Sequence, residues 1–316
     1  HGVDNGTMQV GNMMAFIQYA MQIIMSFLMI TAISIMLPRA NVAAGRICEV
    51  LEMEPSVNDP EDPVRPDKQE KGTVEFDHVS FAYPEAGENV ISDITFKAKK
   101  GETVAIIGST GSGKSTFINL IPRFYDATEG EIDIAGENVR EYTYESLRKM
   151  ISVVPQKAQL FAGTIRDNLM FGCPDATEEQ IEEALVISQA KEFVDTKEGR
   201  LDAVVEQGGK NLSGGQRQRL TLARALVPQS DILIMDDSAS ALDYATDAKL
   251  RKAIQNMKRK PTVFIVSQRT SSIQDADSIL VLDDGKIAGK GTHEELIASC
   301  DIYREIYETQ FKKEEA

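Results

Sequence analysis

A short glycine-rich loop constrains the fold of this chain more strongly than any other feature. It follows an apolar run at residues 103–107 and precedes a helix-like run at residues 117–121. The loop consists of Gly108, Ser109, Thr110, Gly111, Ser112, Gly113, Lys114, Ser115 and Thr116. Its spacing fits the G-x-x-x-x-G-K-[ST] pattern in the strand–loop–helix context that this pattern requires. The loop therefore predicts an α/β fold with a nucleoside triphosphate site at the end of a strand.

Each part of this loop has a physical role toward a phosphate group. Glycines let successive backbone N–H groups turn inward, and the helix that follows presents its positive end. Lys114 adds a positive charge for the β- and γ-phosphates, and Ser115 is placed to ligate Mg²⁺. An ordinary glycine–serine turn between a strand and a helix is the weaker interpretation.

Composition limits the partners of such a site. The chain has 316 residues, a formal net charge of -15 and a pI near 4.8. Proteins that bind nucleic acids normally carry a basic surface, so this acidic balance predicts no nucleic-acid partner. The cysteines Cys48, Cys173 and Cys300 fit no metal-ligand spacing, so we expect free thiols in a reducing compartment. The sequence begins at His1 without a signal-peptide pattern, which suggests a fragment or a processed chain.

An uncharged stretch near the N-terminus predicts a membrane-spanning helix. Residues 10–38 contain no charged side chain, and residues 13–37 are mostly Met, Ile, Leu, Phe and Ala. A helix needs about 20 apolar residues to cross a bilayer. A buried helix of a soluble protein is the alternative, but such helices rarely run so far without a charge. Arg39 and Arg46 follow the span, so the positive-inside rule places the C-terminal part in the cytoplasm.

Polar side chains interrupt this span and leave two interpretations open. They are Gln18, Gln22, Ser26, Thr31 and Ser34. They either pack against neighbouring helices or face a cavity that holds a ligand. One helix cannot enclose a pathway. We therefore expect further spanning helices, upstream on the same polypeptide or on a partner, and a multi-pass full-length protein in the plasma (inner) membrane.

Residues 1–54 are expected to form the last membrane helix and its cytoplasmic extension. A proline-rich acidic stretch then predicts a linker at residues 55–72, because proline stops regular structure. Its prolines are Pro55, Pro60, Pro63 and Pro66. The remaining residues, 73–316, are expected to form the nucleotide-binding domain.

Apolar runs and alternating patterns predict the strands of that domain. Residues 73–83, 90–98 and 133–140 predict a small antiparallel sheet. Buried strands are predicted at residues 103–107, 151–154, 232–235 and 262–266, and a hairpin at residues 279–288 that turns at Asp284 and Gly285. Helical periodicity is seen at residues 178–194 and 216–226, and two terminal helices are predicted at residues 293–311, followed by a frayed tail at residues 312–316.

Residues 211–216 predict a second anion-binding surface. Ser213 is a natural N-cap, and Gly214 and Gly215 expose backbone N–H groups at the start of the helix that contains Gln216. One chain is therefore expected to present two phosphate-binding surfaces.

Together with the glycine-rich loop, residues 212–216 make the chain resemble the ATP-binding cassette (ABC) transporters. The preceding membrane helix narrows the resemblance to exporters in which membrane and nucleotide-binding parts are fused. The methionine-rich span and the departures from the family pattern at Asp237 and Gln268 resemble the multidrug type of such exporters. This implies a P-loop NTPase fold with a RecA-like core, an antiparallel β subdomain and a helical subdomain, preceded by one transmembrane helix. It also implies ATP and Mg²⁺ as cofactors, membrane lipid as the environment, and a second exporter half as the partner.

The resemblance implies roles for matching residues. Tyr83 would stack on adenine, residues 108–116 would hold the phosphates, and Gln156 would sense Mg²⁺ and the membrane domain. Asp236 would be the carboxylate of the Mg²⁺ site. The signature residues Ser213, Gly214, Gly215 and Gln216 would touch the γ-phosphate of ATP held by the opposite subunit, and Asp243 would lie in the loop that crosses the dimer interface.

Two residues depart from the family pattern. Hydrolysing cassettes have glutamate, the general base, after the Mg²⁺ aspartate, whereas this chain has Asp237; they have histidine where this chain has Gln268. Asp237 is one methylene short, and a misplacement of about 1 Å can cost about 100-fold in rate. Gln268 cannot become a cation. Both changes predict a site that binds ATP and hydrolyses it slowly.

This combination resembles one subunit of a bacterial heterodimeric exporter, in which an intact signature serves the partner's site. Such a subunit would export a small amphipathic molecule. A homodimeric lipid or peptide exporter with two slow sites, and a regulatory subunit in which ATP gates a channel without pumping, are the alternatives. A DNA-maintenance ATPase with a similar signature would lack the membrane helix.

Overall fold

The computed structural model describes residues 2, 5–66, 69–84, 86–238 and 242–314 of the chain. The chain divides into two compact units, an N-terminal unit at His1–Ser56 and a C-terminal unit at Val57–Ala316.

A single long helix, α1 (Val10–Leu51), dominates the N-terminal unit. Its 42 residues span about 63 Å at 1.5 Å per residue. None of its residues is buried, and its most apolar window has a mean hydropathy of 2.1. By length and composition it is the one helix in the described ranges that is able to cross a membrane. It passes through Pro38 and ends at Leu51, three residues before the predicted end of the helical segment at Glu54.

The serine and threonine hydroxyl groups within α1 are satisfied by the helix itself. Ser26, Thr31 and Ser34 each donate to the carbonyl oxygen four residues earlier, over 2.8, 2.9 and 2.9 Å. These bonds remove the need for an external acceptor in an apolar environment. They favour neither of the two interpretations of the polar side chains.

The C-terminal unit alternates strands and helices. Its strands are β1 (Val74–Phe81), β2 (Ile91–Ala98), β3 (Thr103–Gly108), β4 (Glu129–Ile134), β5 (Glu137–Asn138), β6 (Ile151–Val154), β7 (Gly163–Thr164), β8 (Val204–Val205), β9 (Ile232–Asp236), β10 (Thr262–Val266), β11 (Ser278–Asp283) and β12 (Lys286–Gly291). Its helices are α2 (Lys114–Leu120), α3 (Tyr144–Met150), α4 (Ile165–Met170), α5 (Glu178–Ile187), α6 (Lys191–Asp195), α7 (Gly214–Leu226), α8 (Tyr244–Gln255), α9 (His293–Ser299) and α10 (Asp301–Glu314).

Two main sheets organise these elements. The first is antiparallel, with the order β2-β1-β4-β5. The second has the order β12-β11-β3-β10-β9-β6, in which all neighbours are parallel except the edge pair β11 and β12. β3 lies between β11 and β10 in this sheet, so the loop that leaves β3 stands beside the carboxyl ends of its neighbours. Ligands of open α/β sheets bind at such carboxyl ends.

Both faces of the six-stranded sheet are covered, which explains why its strands are nearly continuous apolar runs. Along β3, Val104 and Ile106 face the core shared with the antiparallel sheet and α2, while Ala105 and Ile107 face the core beneath α9 and α10. A third core lies among α4, α5, α7 and α8. The predicted α/β class is therefore confirmed, and so are the predicted strands outside residues 133–140. In that region β4 begins earlier, at Glu129, and ends at Ile134, β5 covers only Glu137–Asn138, and Val139–Glu141 is a 3-10 helix.

Three further local predictions were wrong or incomplete. The helical pattern at residues 178–194 is two helices, because Gln189 adopts a left-handed φ of 59° between α5 and α6. α2 begins at Lys114 within the loop rather than at Phe117. α10 continues to Glu314, so residues 312–314 are helical and not a frayed tail, while residues 315 and 316 lie outside the described residues.

The proline-rich segment lies on the C-terminal unit. The N–H of Val64 donates to the carbonyl of Glu141 over 2.9 Å, and the Asp59 carboxylate accepts the N–H of Tyr144, at the start of α3, over 2.7 Å. No helix or strand occurs between residues 57 and 66, or between 69 and 73. The segment is thus irregular, as predicted, but it is docked.

Candidate functional site

Close backbone packing fixes the glycine-rich loop between β3 and α2. Gly113, the N-cap of α2, has a left-handed φ of 94°. A Cβ there would lie 2.8 Å from Ile91 Cδ1 and 3.0 Å from the carbonyl oxygen of Val90. At Gly108 a Cβ would collide with the carbonyl oxygen of Leu282. The spacing of these two glycines is therefore a requirement of the loop's own packing.

Lys114 folds back over the loop. Its Nζ donates to the carbonyl oxygens of Gly108 and Ser109 over 2.9 and 2.6 Å, and to Ser112 Oγ over 3.3 Å. Partial burial lowers the pKa of Lys114, and the nearby carboxylates of Asp236 and Asp237 oppose that shift. A cation held over the concave side of the loop is suited to attract phosphate oxygens.

Helix α2 is joined to the end of β9 by a side-chain hydrogen bond. Ser115 Oγ donates to the Asp236 carboxylate over 3.3 Å. Burial raises the pKa of Asp236; the Ser115 hydrogen bond and Lys114 oppose the shift, and the charge of Asp237 adds to it. A hydroxyl and a partly buried carboxylate side by side are oxygen donors of the kind that Mg²⁺ prefers.

Asp237 follows in a left-handed conformation, with φ 43°. Its N–H donates to the carbonyl of Val266 over 2.9 Å, which ties β9 to the end of β10. Burial raises the pKa of Asp237, while a hydrogen bond from the Gln156 side chain and the charge of Arg269 oppose that shift. The described contacts of Gln156 therefore include Asp237, the residue after Asp236.

One cleft of about 340 Å³ brings most of the predicted site residues together. It is lined by Val90, Thr110, Gly111, Gly113, Lys114, Ser115, Thr116, Gln156, Asp236, Asp237, Val266 and Gln268. The remaining loop residues, Gly108, Ser109 and Ser112, adjoin it through Lys114. Four segments in addition to the loop thus deliver side chains to one place: residue 90 before β2, residue 156 after β6, residues 236 and 237 at the end of β9, and residues 266 and 268 at the end of β10.

Tyr83 lies beside the first turn of α2. Its hydroxyl is 3.0 Å from Thr116 Oγ1, and its ring meets Tyr125 edge-on at 5.2 Å and Phe81 at 4.9 Å between centroids. Its side chain is half-buried and packs against the main core. Tyr83 is not among the described residues that line the cleft.

The signature residues form a helix start away from this cleft. Ser213 and Gln216 close a capping box at the start of α7: Ser213 Oγ accepts the N–H of Gln216 over 3.3 Å, and Gln216 Oε1 accepts the N–H of Ser213 over 3.1 Å. A Cβ at Gly214 would meet no atom within 4 Å. The predicted N-cap at Ser213 is confirmed. Residues 213–216 do not line the cleft in the described part of the chain.

Asp243 also acts as a cap, at the start of α8. Its carboxylate accepts the N–H of Thr246 over 2.9 Å and the Thr246 hydroxyl over 2.8 Å, and these bonds hold its pKa below the usual range. Residues 239–241, which lead to it, lie outside the described residues.

Sequence reasoning missed several residues of the site. Val90 and Val266 form apolar walls of the cleft, and nothing distinguishes them in sequence from other strand residues. Arg269 follows Gln268 and affects the charge balance at Asp237. Its guanidinium lies 3.5 Å from the carbonyl oxygen of Leu242 and 5.5 Å from the centroid of the Tyr244 ring.

The donor set fits a divalent cation bound together with a phosphate. No cluster of three or more His, Cys, Asp or Glu side chains able to hold a metal occurs among the described residues. Ser115, Gln156 and Asp236 nevertheless offer a hydroxyl, an amide and a carboxylate at one cleft. Mg²⁺ commonly takes only one or two carboxylates and completes its shell with phosphate and water oxygens.

Comparison with known proteins agrees with this geometry. Residues 91–240 match the family of ABC transporters. An uncharacterized ABC transporter ATP-binding protein of Mycobacterium tuberculosis is 45% identical over 311 residues, which cover 98% of this chain and 53% of that protein. An ATP-dependent lipid A-core flippase of Haemophilus ducreyi is 37% identical over 285 residues, which cover 90% of this chain and 48% of that protein.

A solved structure of an ABC exporter is also similar to this chain. The structure of a bacterial Atm1-family ABC exporter with ATP bound matches with a TM-score of 0.81 and 32% identity, over 87% of this chain and 48% of that chain. The chain spans about half the length of the curated relatives described above. The chain therefore contains an ABC transporter ATP-binding domain and is homologous to ABC exporter half-transporters.

Proposed function

We propose that this chain is part of one half of an ATP-driven exporter and that it pairs with a second exporter half in the inner membrane. The observation that carries the proposal is the shared cleft of Lys114, Ser115, Asp236 and Gln268, on a chain that begins with an apolar helix. The homology to an exporter and to a lipid flippase supports the same function. The cargo class is a small amphipathic molecule.

ATP would bind with its phosphates over residues 108–116 and its adenine against Tyr83. Lys114 would face the β- and γ-phosphates, since its Nζ already lies over the loop carbonyls. Mg²⁺ would be held by Ser115, Asp236 and Gln156, and when bound it would neutralise charge between the β- and γ-phosphates. The hydrogen bond from Ser115 Oγ to the Asp236 carboxylate, over 3.3 Å, supports this, because it brings two oxygen ligands together.

The ATP site formed by this chain's own glycine-rich loop is proposed to hydrolyse ATP slowly. Burial raises the pKa of Asp237, which makes its carboxylate a better proton acceptor, so the deficit is one of reach rather than basicity. The backbone of Asp237 is tied to Val266, and its side chain receives a hydrogen bond from Gln156. These contacts oppose a shift that would compensate for the missing methylene. Gln268 adds a neutral hydrogen-bonding group where a cation would stabilise the transition state better.

The signature of this chain is proposed to serve the site of the partner. The start of α7 is open at Gly214, and Ser213 and Gln216 hold the helix start in a fixed geometry. Such a helix terminus is suited to contact the γ-phosphate of ATP bound by another subunit. Asp243 would lie in the loop that crosses between the subunits. The alternatives are a homodimeric lipid or peptide exporter and a subunit in which ATP gates a channel.

Transport and hydrolysis in the full-length protein, with and without its partner half, test this proposal. The chain's Ser213→Ala variant should lower ATP turnover and vesicle uptake of the complex, because the partner site loses its signature contact. Ser299→Ala is the matched control, since Ser299 is exposed and, among the described residues, its hydroxyl bonds only to the carbonyl of Glu295 in its own helix. Unchanged turnover in the Ser213 variant contradicts the heterodimer proposal, and ATP-dependent currents without turnover favour the gating subunit.

A further inference from the structure

The side chain of Gln310, in α10, holds the backbone of the segment that carries Gln268. Gln310 Nε2 donates to the carbonyl oxygen of Gln268 over 2.6 Å. Gln310 Oε1 accepts the N–H of Thr270 over 2.9 Å and the Thr270 hydroxyl over 3.0 Å. One amide thus uses both of its ends on residues about 40 positions earlier in the chain.

α10 itself is firmly placed on the domain. Tyr303 is fully buried in the core beneath α9 and α10, and its hydroxyl lies 2.8 Å from His293 Nδ1. Ile306 packs against the same core. Residues 303, 306 and 310 share one face of the helix, because they are three and four positions apart. Gln310 therefore stands where the buried stripe predicts an apolar residue, and it uses this inward position for hydrogen bonds.

The C-terminal end of this segment, at residues 271 and 272, is held by a different helix, α8. Ser272 Oγ donates to the buried Asp247 carboxylate over 3.0 Å, and Arg251 Nη1 donates to the carbonyl of Ser271 over 3.2 Å. The N-terminal end of the segment directly follows strand β10, which ends at Val266. The stretch between these two anchors carries Gln268, and it is the stretch that Gln310 contacts.

We propose that Gln310 is a positioning residue that sets the distance of Gln268 from the γ-phosphate of bound ATP. Gln268 lines the same cleft as Lys114 and Asp237, so a displacement of its backbone changes how its amide meets the phosphate. The inference rests on the proposed function, because Gln268 has this role only in a cleft that binds ATP.

The experiment compares ATP and ADP binding in the full-length protein in lipid. Only ATP has the γ-phosphate, so Gln310→Ala should weaken the binding of a non-hydrolysable ATP analogue by about five- to tenfold, the effect of one to two hydrogen bonds, and leave ADP binding unchanged. Gln310→Glu keeps an acceptor for Thr270 but loses the donor to Gln268, so a similar loss is expected. Thr309→Ala is the control, because Thr309 is exposed and bonds only within its helix, to Glu305.

Gln268→Ala is the reference variant, and the double variant should be no weaker for ATP than Gln268→Ala alone. An unchanged preference for ATP over ADP in Gln310→Ala, when Gln268→Ala reduces it, overturns the inference. Equal losses for ATP and ADP together with a lower melting temperature assign Gln310 a merely structural role and also overturn it. Failure of the proposed function looks different: the wild-type protein then binds no ATP, or Gln268→Ala leaves its preference for ATP unchanged.

Discussion

Ser115 Oγ donates a hydrogen bond to the Asp236 carboxylate over 3.3 Å, and this contact joins the start of α2 to the end of β9. The two groups come from loop and strand motifs that are 121 residues apart in the chain. Their meeting places a hydroxyl and a carboxylate where Mg²⁺ and the phosphates of ATP are proposed to bind. Because burial disfavours the charged form of a carboxylate, the ionised Asp236 side chain has an energetic cost in the folded protein.

Asp236→Asn should stabilise the nucleotide-free protein at neutral pH. Because the folded-state pKa of Asp236 is raised by burial, the folded protein binds more protons than the unfolded chain between the ordinary pKa and the raised one. The unfavourable contribution of this group therefore develops as pH rises through that window and is fully present above it. We expect a melting temperature higher than that of the wild type at pH 7, and no gain at a pH below the ordinary carboxyl pKa.

The same variant should lose Mg²⁺-dependent nucleotide binding, since the carboxylate that faces Ser115 is gone. Thermal unfolding followed by circular dichroism at several pH values, with and without Mg²⁺ and ATP, checks both parts. An Asn variant that is less stable than the wild type at pH 7 would show that the burial cost of Asp236 is already offset by its neighbours.

Gly113→Ala should disrupt the loop. Alanine is disfavoured at φ 94°, and its Cβ would meet Ile91 and Val90 at 2.8 and 3.0 Å. Backbone strain of this kind costs about 1–3 kcal/mol, so we expect lower stability and at least about tenfold weaker ATP binding. Gly172→Ala is the matched control, because a Cβ at Gly172 meets no atom within 4 Å and its backbone is not in the left-handed region. Calorimetric titration with ATP and thermal melts separate the two effects, and equal behaviour of both variants would refute the packing argument.

Much of the site was predictable because its chemistry is local in sequence. The spacing of Gly108, Gly113 and Lys114, the apolar strand before Asp236 and the N-cap at Ser213 each express a short-range requirement of backbone geometry or capping. The hairpin at Asp284 and Gly285 belongs to the same class: both residues have positive φ, 45° and 73°, as a tight hairpin turn requires.

What could not be predicted depends on contacts between distant residues. The sequence does not indicate that Gln156 bonds Asp237, or that the Tyr83 hydroxyl meets Thr116. The break at Gln189 has no glycine or proline to mark it, because a non-glycine residue adopts the left-handed conformation there. The helical end of α10 was missed because residues 312–314 are highly polar, and their composition resembles a disordered tail.

The most direct test of the account is ATP turnover by the full-length protein alone in lipid, with the family residue restored at Asp237. Asp237→Glu returns the missing methylene and should raise turnover by up to about 100-fold, with a further gain from Gln268→His. Wild-type turnover near the median enzyme rate of about ten per second, abolished by Asp237→Ala and not raised by Asp237→Glu, would contradict the proposal that this cleft holds ATP more than it hydrolyses it.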